Sequence, residues 1–265
     1  MARLAVIGAG MMGEALARGL LAAGWTPSDL ILADVRTDRL DVLAADLGVG
    51  TAGDNAEAAS KAEAVLLAVK PQDAPAALES LRHTGRDLGI VSIVAGLRTQ
   101  EVEERVGSEP SVVRAMPNTP ARVGKGVTAL TRGRYTLDAT AELASAVFST
   151  VGPVVWTAEH HLDAVTALSG SGPAYVFLVA EALIDAGVLA GLPRDVSTRL
   201  AIQTLLGSAR LLAETGETPE ALRAGVTSPG GTTAAGQRQL ERAGVRSAIL
   251  EAVAAATARS KELGR

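Results

Sequence analysis

Leu4-Ala5-Val6-Ile7-Gly8-Ala9-Gly10-Met11-Met12-Gly13 is the stretch whose reading decides the fold. Its first four residues form a short apolar run of the kind found in a strand buried on both faces. The G-x-G-x-x-G that follows leads into Glu14 to Ala23, a segment of helical composition. Strand before and helix after give the motif a physical meaning. The first glycine permits a tight turn, the second lets backbone approach a pyrophosphate, and the third lets helix and strand pack closely. Leu30 to Ala33 reads as a second strand, and Asp34 closes it about 20 residues on, where an acidic side chain meets a ribose hydroxyl. The expectation is a dinucleotide-binding half whose cofactor residues include Gly8, Gly10, Met11, Met12 and Gly13.

Further strands are expected at Ala64 to Val69, Ile90 to Val94 and Ser111 to Met116, with later ones near Val127 to Leu130 and Pro153 to Trp156. Strands alternating with helices imply a parallel sheet, and ligands in such sheets bind at the carboxyl ends of the strands. Three strand-end peptides then face the cofactor: Ala68-Val69-Lys70-Pro71, Ala95-Gly96 and Pro117-Asn118-Thr119-Pro120. Read alone, the proline-bearing peptides serve equally well as strand stops. From about His161 the strand-like runs give way to long Ala/Leu-rich helical segments. Their apolar residues cover more than one side, so a partner subunit is the expected cover.

The second informative stretch is Val226-Thr227-Ser228-Pro229-Gly230-Gly231-Thr232-Thr233, which feeds a helix beginning near Ala234. A glycine-rich turn at a helix start points backbone N–H groups outward at the positive end of the helix dipole and suits a carboxylate or phosphate. Read alone, it is equally a capped helix start after a tight turn.

Composition narrows the function classes. A net charge of −4 gives no footprint for nucleic acid or an anionic membrane. The absence of cysteine excludes disulfides, thiolate metal sites and cysteine nucleophiles. The histidines (His83, His160 and His161) have no metal-ligand spacing, and His160 and His161 read with Glu159 as a solvated helix start. No apolar run is read as long enough for a membrane span, and the chain enters a strand at once, so a cytoplasmic protein without a signal peptide is expected. Aromatics make up 2% and apolar residues 48%, so the core must be built from Ala, Val, Leu and Ile. Only four of the 25 basic side chains are lysines, Lys61, Lys70, Lys125 and Lys261.

Five motifs in order resemble the pyrroline-5-carboxylate reductases along essentially the whole chain. They are Ile7 to Gly13, Ala68 to Gln72, Met116 to Pro120, Ala167 to Tyr175 and Val226 to Thr233. The segment Arg223-Ala224-Gly225 departs from the acidic or amidic residues common there. The resemblance implies an α/β Rossmann-type N-terminal domain over 1–157 and an all-α C-terminal domain over 158–265 that dimerises and binds substrate. It implies homodimers that assemble further into decamers, and reduction of a cyclic imine carboxylate, Δ1-pyrroline-5-carboxylate, to L-proline. The substrate carboxylate then falls to Gly230, Gly231, Thr232, Thr233 and Ser228, with Thr233 and Ser228 the candidate catalytic hydroxyls. Asn55 matches a position near the adenosine half, while Ser169 to Pro173 reads either as a substrate contact or as a packing break.

Cofactor choice stays open on the residues. Asp34 favours NADH because a carboxylate repels a 2′-phosphate, while Arg36 and Arg39 can hold that phosphate. The resemblance tilts the expectation to NADPH. A β-hydroxyacid dehydrogenase shares the layout but needs a lysine early in the helical domain, and none occurs between Lys125 and Lys261. A dinucleotide sensor would need no anion turn.

Overall fold

The structure is a computed structural model and describes residues 2–82 and 88–264. His83 lies outside the described residues. The chain divides into two compact units, one of residues 1–171 with 256–265 and one of residues 172–255.

The first unit is a sheet of eight described strands. They are β1 (Ala2–Ile7), β2 (Leu30–Ala33), β3 (Gly50–Thr51), β4 (Ala62–Leu67), β5 (Gly89–Ser92), β6 (Ser111–Met116), β7 (Thr128–Arg132) and β8 (Val154–Trp156). Their spatial order is β3-β2-β1-β4-β5-β6-β7-β8. The strands from β3 across to β6 are parallel, with Val6 opposite both Leu32 and Leu66. Helices α1 (Met11–Ala22), α2 (Thr37–Leu47), α3 (Asn55–Ser60), α4 (Ala74–Ser80), α5 (Thr99–Val106) and α6 (Asp138–Ser149) connect them.

The sheet is not parallel throughout, which corrects the sequence reading. β7 runs antiparallel to β6, pairing Ala115 with Leu130. The reason is local: residues 117–127 carry only a 3₁₀ turn at Thr119–Val123, and a parallel neighbour needs a crossover element. α6 supplies that crossover one strand later, so β8 is parallel to β7.

Period-two alternation sorts the apolar strand residues into two cores. Leu4, Val6, Leu66, Val91 and Val113 face one side with Leu16 and Leu20 of α1 and Phe148 of α6. Ala5, Ile7, Val65, Leu67, Ile90 and Val112 face the other with Leu78 of α4 and Val102 of α5. Both faces are covered, so the strands read as continuous apolar runs rather than alternating ones.

After β8, α7 (Leu162–Val165) passes into one π turn at Thr166–Gly170, closed by the Ser171 N–H donating to Thr166 O at 2.8 Å. The end of the chain returns to this unit. Ser260 Oγ donates to Asp163 at 2.7 Å, and a Cβ on Gly96 would lie 3.0 Å from Leu263 O.

The second unit contains α8 (Gly172–Leu189), α9 (Arg194–Thr215), α10 (Pro219–Gly225), α11 (Thr232–Arg242) and most of α12 (Val245–Leu263). α8 and α9 pack through a small-residue contact. Ser197 Oγ donates to Ile184 O at 2.7 Å, and a Cβ on Gly187 would meet that Oγ at 2.1 Å. No residue of α8 or α11 is buried in the single chain, and Phe177, Leu178 and Leu250 are 61%, 65% and 71% exposed. Among the described residues one helical stretch, Glu159–Leu189, is long and apolar enough to cross a membrane, with an 18-residue window of mean hydropathy 1.5. The sequence reading missed it because Glu181 and Asp185 interrupt the run without lowering its average much.

Candidate active site

The parallel strands bring most of the expected cofactor residues to one edge. Asp34 follows β2, Gly8 follows β1, Ala68 to Pro71 follow β4, Ala95 follows β5, and Pro117 and Asn118 follow β6. At about 4.8 Å per strand step this edge spans about 19 Å from Asp34 to Asn118, long enough for an extended dinucleotide. The order reverses between β1 and β4, the point at which open α/β sheets bind ligands.

The three loop glycines differ in what surrounds them. Gly8 has φ +99°, and a Cβ there would lie 2.6 Å from Ala68 O. A Cβ on Gly13 would lie 2.2 Å from Gly8 O, so only glycine lets α1 start this close to β1. A Cβ on Gly10 meets nothing within 4 Å, so the fold leaves that space open. The N–H groups of Gly10, Met11, Met12 and Gly13 find no acceptor among the described residues. A cradle of free N–H groups at the start of a twelve-residue helix fits a pyrophosphate. Glu14, in the first turn of α1, would repel that anion. Arg18 at 2.9 Å and Arg39 pair with it, leaving the helix dipole to act.

Asp34 is committed to the chain itself. It accepts from Ala9 N–H at 2.8 Å, from Arg36 N–H at 3.0 Å, and from the Arg36 guanidinium through Nε and Nη2, both at 3.0 Å. Burial pushes its carboxyl up, but the bonds from Arg36 and Ala9 together outweigh that and hold it below the usual carboxylate range. Arg39 donates from Nε to Ala9 O at 3.1 Å and from Nη2 to Glu14. Asn55 is the first residue of α3, capped by Asp54, which accepts from Glu57 N–H at 2.7 Å.

Asn118 is tied at both ends. Its Oδ1 accepts from Val127 N–H at 2.9 Å and its Nδ2 donates to Ser169 O at 3.1 Å. A Cβ on Gly170 would meet Met116 Cε at 3.0 Å. The end of β6 is therefore packed against the π turn at Thr166–Gly170, and π turns are frequent at functional positions. Lys70 and Ala95 are exposed, Met11 is 73% exposed and Pro117 is buried.

In the second unit, residues 228–231 form a tight turn in which Gly231 N–H donates to Ser228 O at 3.1 Å. Gly230 takes φ +69°, which favours glycine. The Ser228 hydroxyl folds back, so a Cβ on Gly231 would lie 2.4 Å from its Oγ. Gly231 caps α11 without any side-chain bond, and the N–H groups of Thr232, Thr233 and Ala234 find no acceptor among the described residues. Gln237, and the tie it makes to Thr227, were not anticipated. Thr227 Oγ1 donates to Arg223 O at 2.6 Å and accepts from Gln237 Nε2 at 2.9 Å, tying the turn to α10 and α11. Only the polar character of these residues hinted at it. Glu159 departs from the expected solvated start: it accepts from the buried Arg114 of β6, while His160 and His161 are exposed. Among the described residues no group of three or more His, Cys, Asp or Glu gathers as a metal site.

Comparison with known proteins agrees along the chain. The family described as pyrroline-5-carboxylate reductase dimerisation matches residues 159–263, and NADP oxidoreductase coenzyme F420-dependent matches residues 3–96. Pyrroline-5-carboxylate reductase from Synechocystis is 47% identical over 99% of this chain and 98% of its own length. The structure of a pyrroline-5-carboxylate reductase from Coxiella burnetii superposes with a TM-score of 0.94 at 36% identity, covering 100% of this chain and 99% of that one. That of a pyrroline carboxylate reductase from Plasmodium falciparum, with NADP bound, gives 0.87 at 32%, covering 100% and 98%. The switch-point cradle and the helical second unit define a nicotinamide-dinucleotide oxidoreductase. Within that class the chain belongs to the pyrroline-5-carboxylate reductase family.

Proposed function

We propose that the chain reduces the ring C=N bond of Δ1-pyrroline-5-carboxylate to give L-proline with NADPH, the last step of proline biosynthesis. The observation that carries this reading is the pair of anion cradles on an otherwise acidic chain. One is a pyrophosphate seat at Gly10 to Gly13, the other a carboxylate seat at Thr232 to Ala234. When bound, the reduced nicotinamide supplies the hydride that the imine carbon takes up. The strand ends at Ala68 to Pro71, Ala95 and Pro117-Asn118 hold the nicotinamide half, and Asn55 lies towards the adenosine half. The free N–H groups of Thr232 and Thr233 and the Ser228 hydroxyl hold the substrate carboxylate, in a turn shaped by Gly230 and Gly231. Thr233 reaches the ring nitrogen with its hydroxyl and keeps the nitrogen protonated, directly or through water. Residues 1–157 act as the dinucleotide domain and 158–265 as the dimerisation and substrate domain.

NADPH oxidation at 340 nm with Δ1-pyrroline-5-carboxylate, run beside NADH and beside Thr233→Val, tests the reading. Wild type turns over, and Thr233→Val loses about ten- to several hundred-fold in kcat, the order of one catalytic hydrogen bond. Unchanged kcat in the variant removes Thr233 from the chemistry. Tight NADPH binding without turnover favours a dinucleotide sensor instead.

The working protein is a cytoplasmic homodimer that assembles further, up to a decamer. The exposed apolar faces of α8 and α9 meet a second copy, and Glu181 and Asp185 within α8 argue against lipid as the cover. Phe177→Asp places a charge on that face. It is expected to shift the species seen by light scattering towards monomer at micromolar concentration; an undisturbed oligomer removes α8 from the interface.

A further inference from the structure

Ala9 is held at both ends by side chains from the segment after β2. Its N–H donates to Asp34 at 2.8 Å and its carbonyl accepts from Arg39 Nε at 3.1 Å. Arg39 is further engaged by Glu14 and is less exposed than Arg36. Arg36 differs. Its side chain is more than half exposed, and its partner is a carboxylate side chain almost fully buried. A carboxylate offers about four acceptor positions, and Asp34 uses four: Ala9 N–H, Arg36 N–H and two guanidinium N–H groups.

Building on the reading of the chain as an NADPH reductase, we propose that Arg36 alone is the 2′-phosphate ligand, that Asp34 holds it ready, and that Arg39 is a brace for the glycine loop. Three consequences follow from charge and valence. Asp34, already saturated, has no acceptor left for the ribose 2′-hydroxyl of NADH while Arg36 stays on it. A 2′-phosphate competes for the exposed Arg36 fork, and transfer of that fork exchanges one charge-assisted pair for another. The Ala9 N–H bond remains with Asp34, so the loop keeps its shape as Arg36 moves. An acid at the end of β2 thereby becomes compatible with NADPH, because the arginine it carries passes to the phosphate while the Ala9 and Arg36 N–H groups still bond the carboxylate.

Binding of NADPH, NADH and 2′,5′-ADP is measured by calorimetry or by fluorescence of the bound nicotinamide on the wild-type chain and on Arg36→Ala, Arg36→Lys and Arg39→Ala. Arg36→Ala is expected to weaken NADPH and 2′,5′-ADP about ten- to a hundredfold, the range for losing a charge-assisted contact, and to leave NADH equal or tighter because Asp34 gains free acceptors. Arg36→Lys keeps the charge but loses the fork and falls between. Arg39→Ala weakens both dinucleotides to a similar degree. If Arg36→Ala weakens NADPH and NADH equally, or if Arg39→Ala alone loses NADPH selectively, the inference is overturned while the reductase reading stands. A wild-type chain that binds neither dinucleotide overturns both.

Discussion

Gly10→Val is expected to weaken NADPH binding about a hundredfold or more while leaving the fold intact. Gly10 has φ −72° and ψ −169°, an extended conformation open to any residue. A Cβ there meets no protein atom within 4 Å, so the protein itself has no steric reason to keep glycine. Loss of a small residue at the helix cap costs up to about 1 kcal/mol. A branched side chain in that space would instead stand between the free N–H groups of the loop and the pyrophosphate, and displacements of about 1 Å at such contacts cost about a hundredfold. Gly13→Ala provides the contrast. Its Cβ would overlap Gly8 O at 2.2 Å, so α1 must separate from β1 and the melting temperature should fall with binding. Differential scanning fluorimetry beside NADPH calorimetry separates the two. Wild-type affinity in Gly10→Val would mean that the open space is not the pyrophosphate seat.

That contrast marks what the sequence could and could not convey. The strand, loop and helix at Leu4 to Gly13 were legible because each depends on local chemistry: an apolar run, three glycines at fixed spacing and a helical segment. The strand ends near Lys70-Pro71 and at Pro117-Asn118 were legible for the same reason, since proline has no N–H to give the ladder of a central strand. Contacts made across the chain were not. Asp34 was read as a ribose ligand because its position after β2 was visible, whereas its four bonds depend on where Ala9 and Arg36 fold. The reversal of β7 followed from the lack of a helix between 117 and 127, a negative signal that periodicity does not register. The return of residues 256–264 to the first unit brings Ser260 onto Asp163 and Leu263 up to Gly96. Neither leaves a pattern in the last helix.

Glu159→Ala is expected to lower stability by about 2–4 kcal/mol. Arg114 lies in β6 with its side chain 7% exposed, and its guanidinium donates to Glu159, whose other oxygen accepts from Thr99 Oγ1 at 2.9 Å. Removing one partner of a buried pair typically costs about 3–5 kcal/mol, because the remaining charge is left desolvated. Glu159 is 30% exposed, so water can reach the vacated end and the lower part of that range applies. For a chain of this size the melting temperature should drop by roughly 4–16 °C, compared at one protein concentration because an oligomer's stability depends on it. Glu159→Gln keeps an acceptor without the charge and should fall between. Replacing both partners by apolar residues of similar volume, Arg114→Met with Glu159→Leu, should recover much of the loss, since two matched apolar groups carry no desolvation cost. A melting temperature in Glu159→Ala within about 1 °C of wild type would show that the pair is as weak as a surface ion pair. Arg114 stands two residues before Met116 on the strand whose end carries Pro117 and Asn118. Loosening it should therefore raise KM for NADPH before it lowers kcat, which distinguishes a strand positioned by its ion pair from one held by the sheet alone.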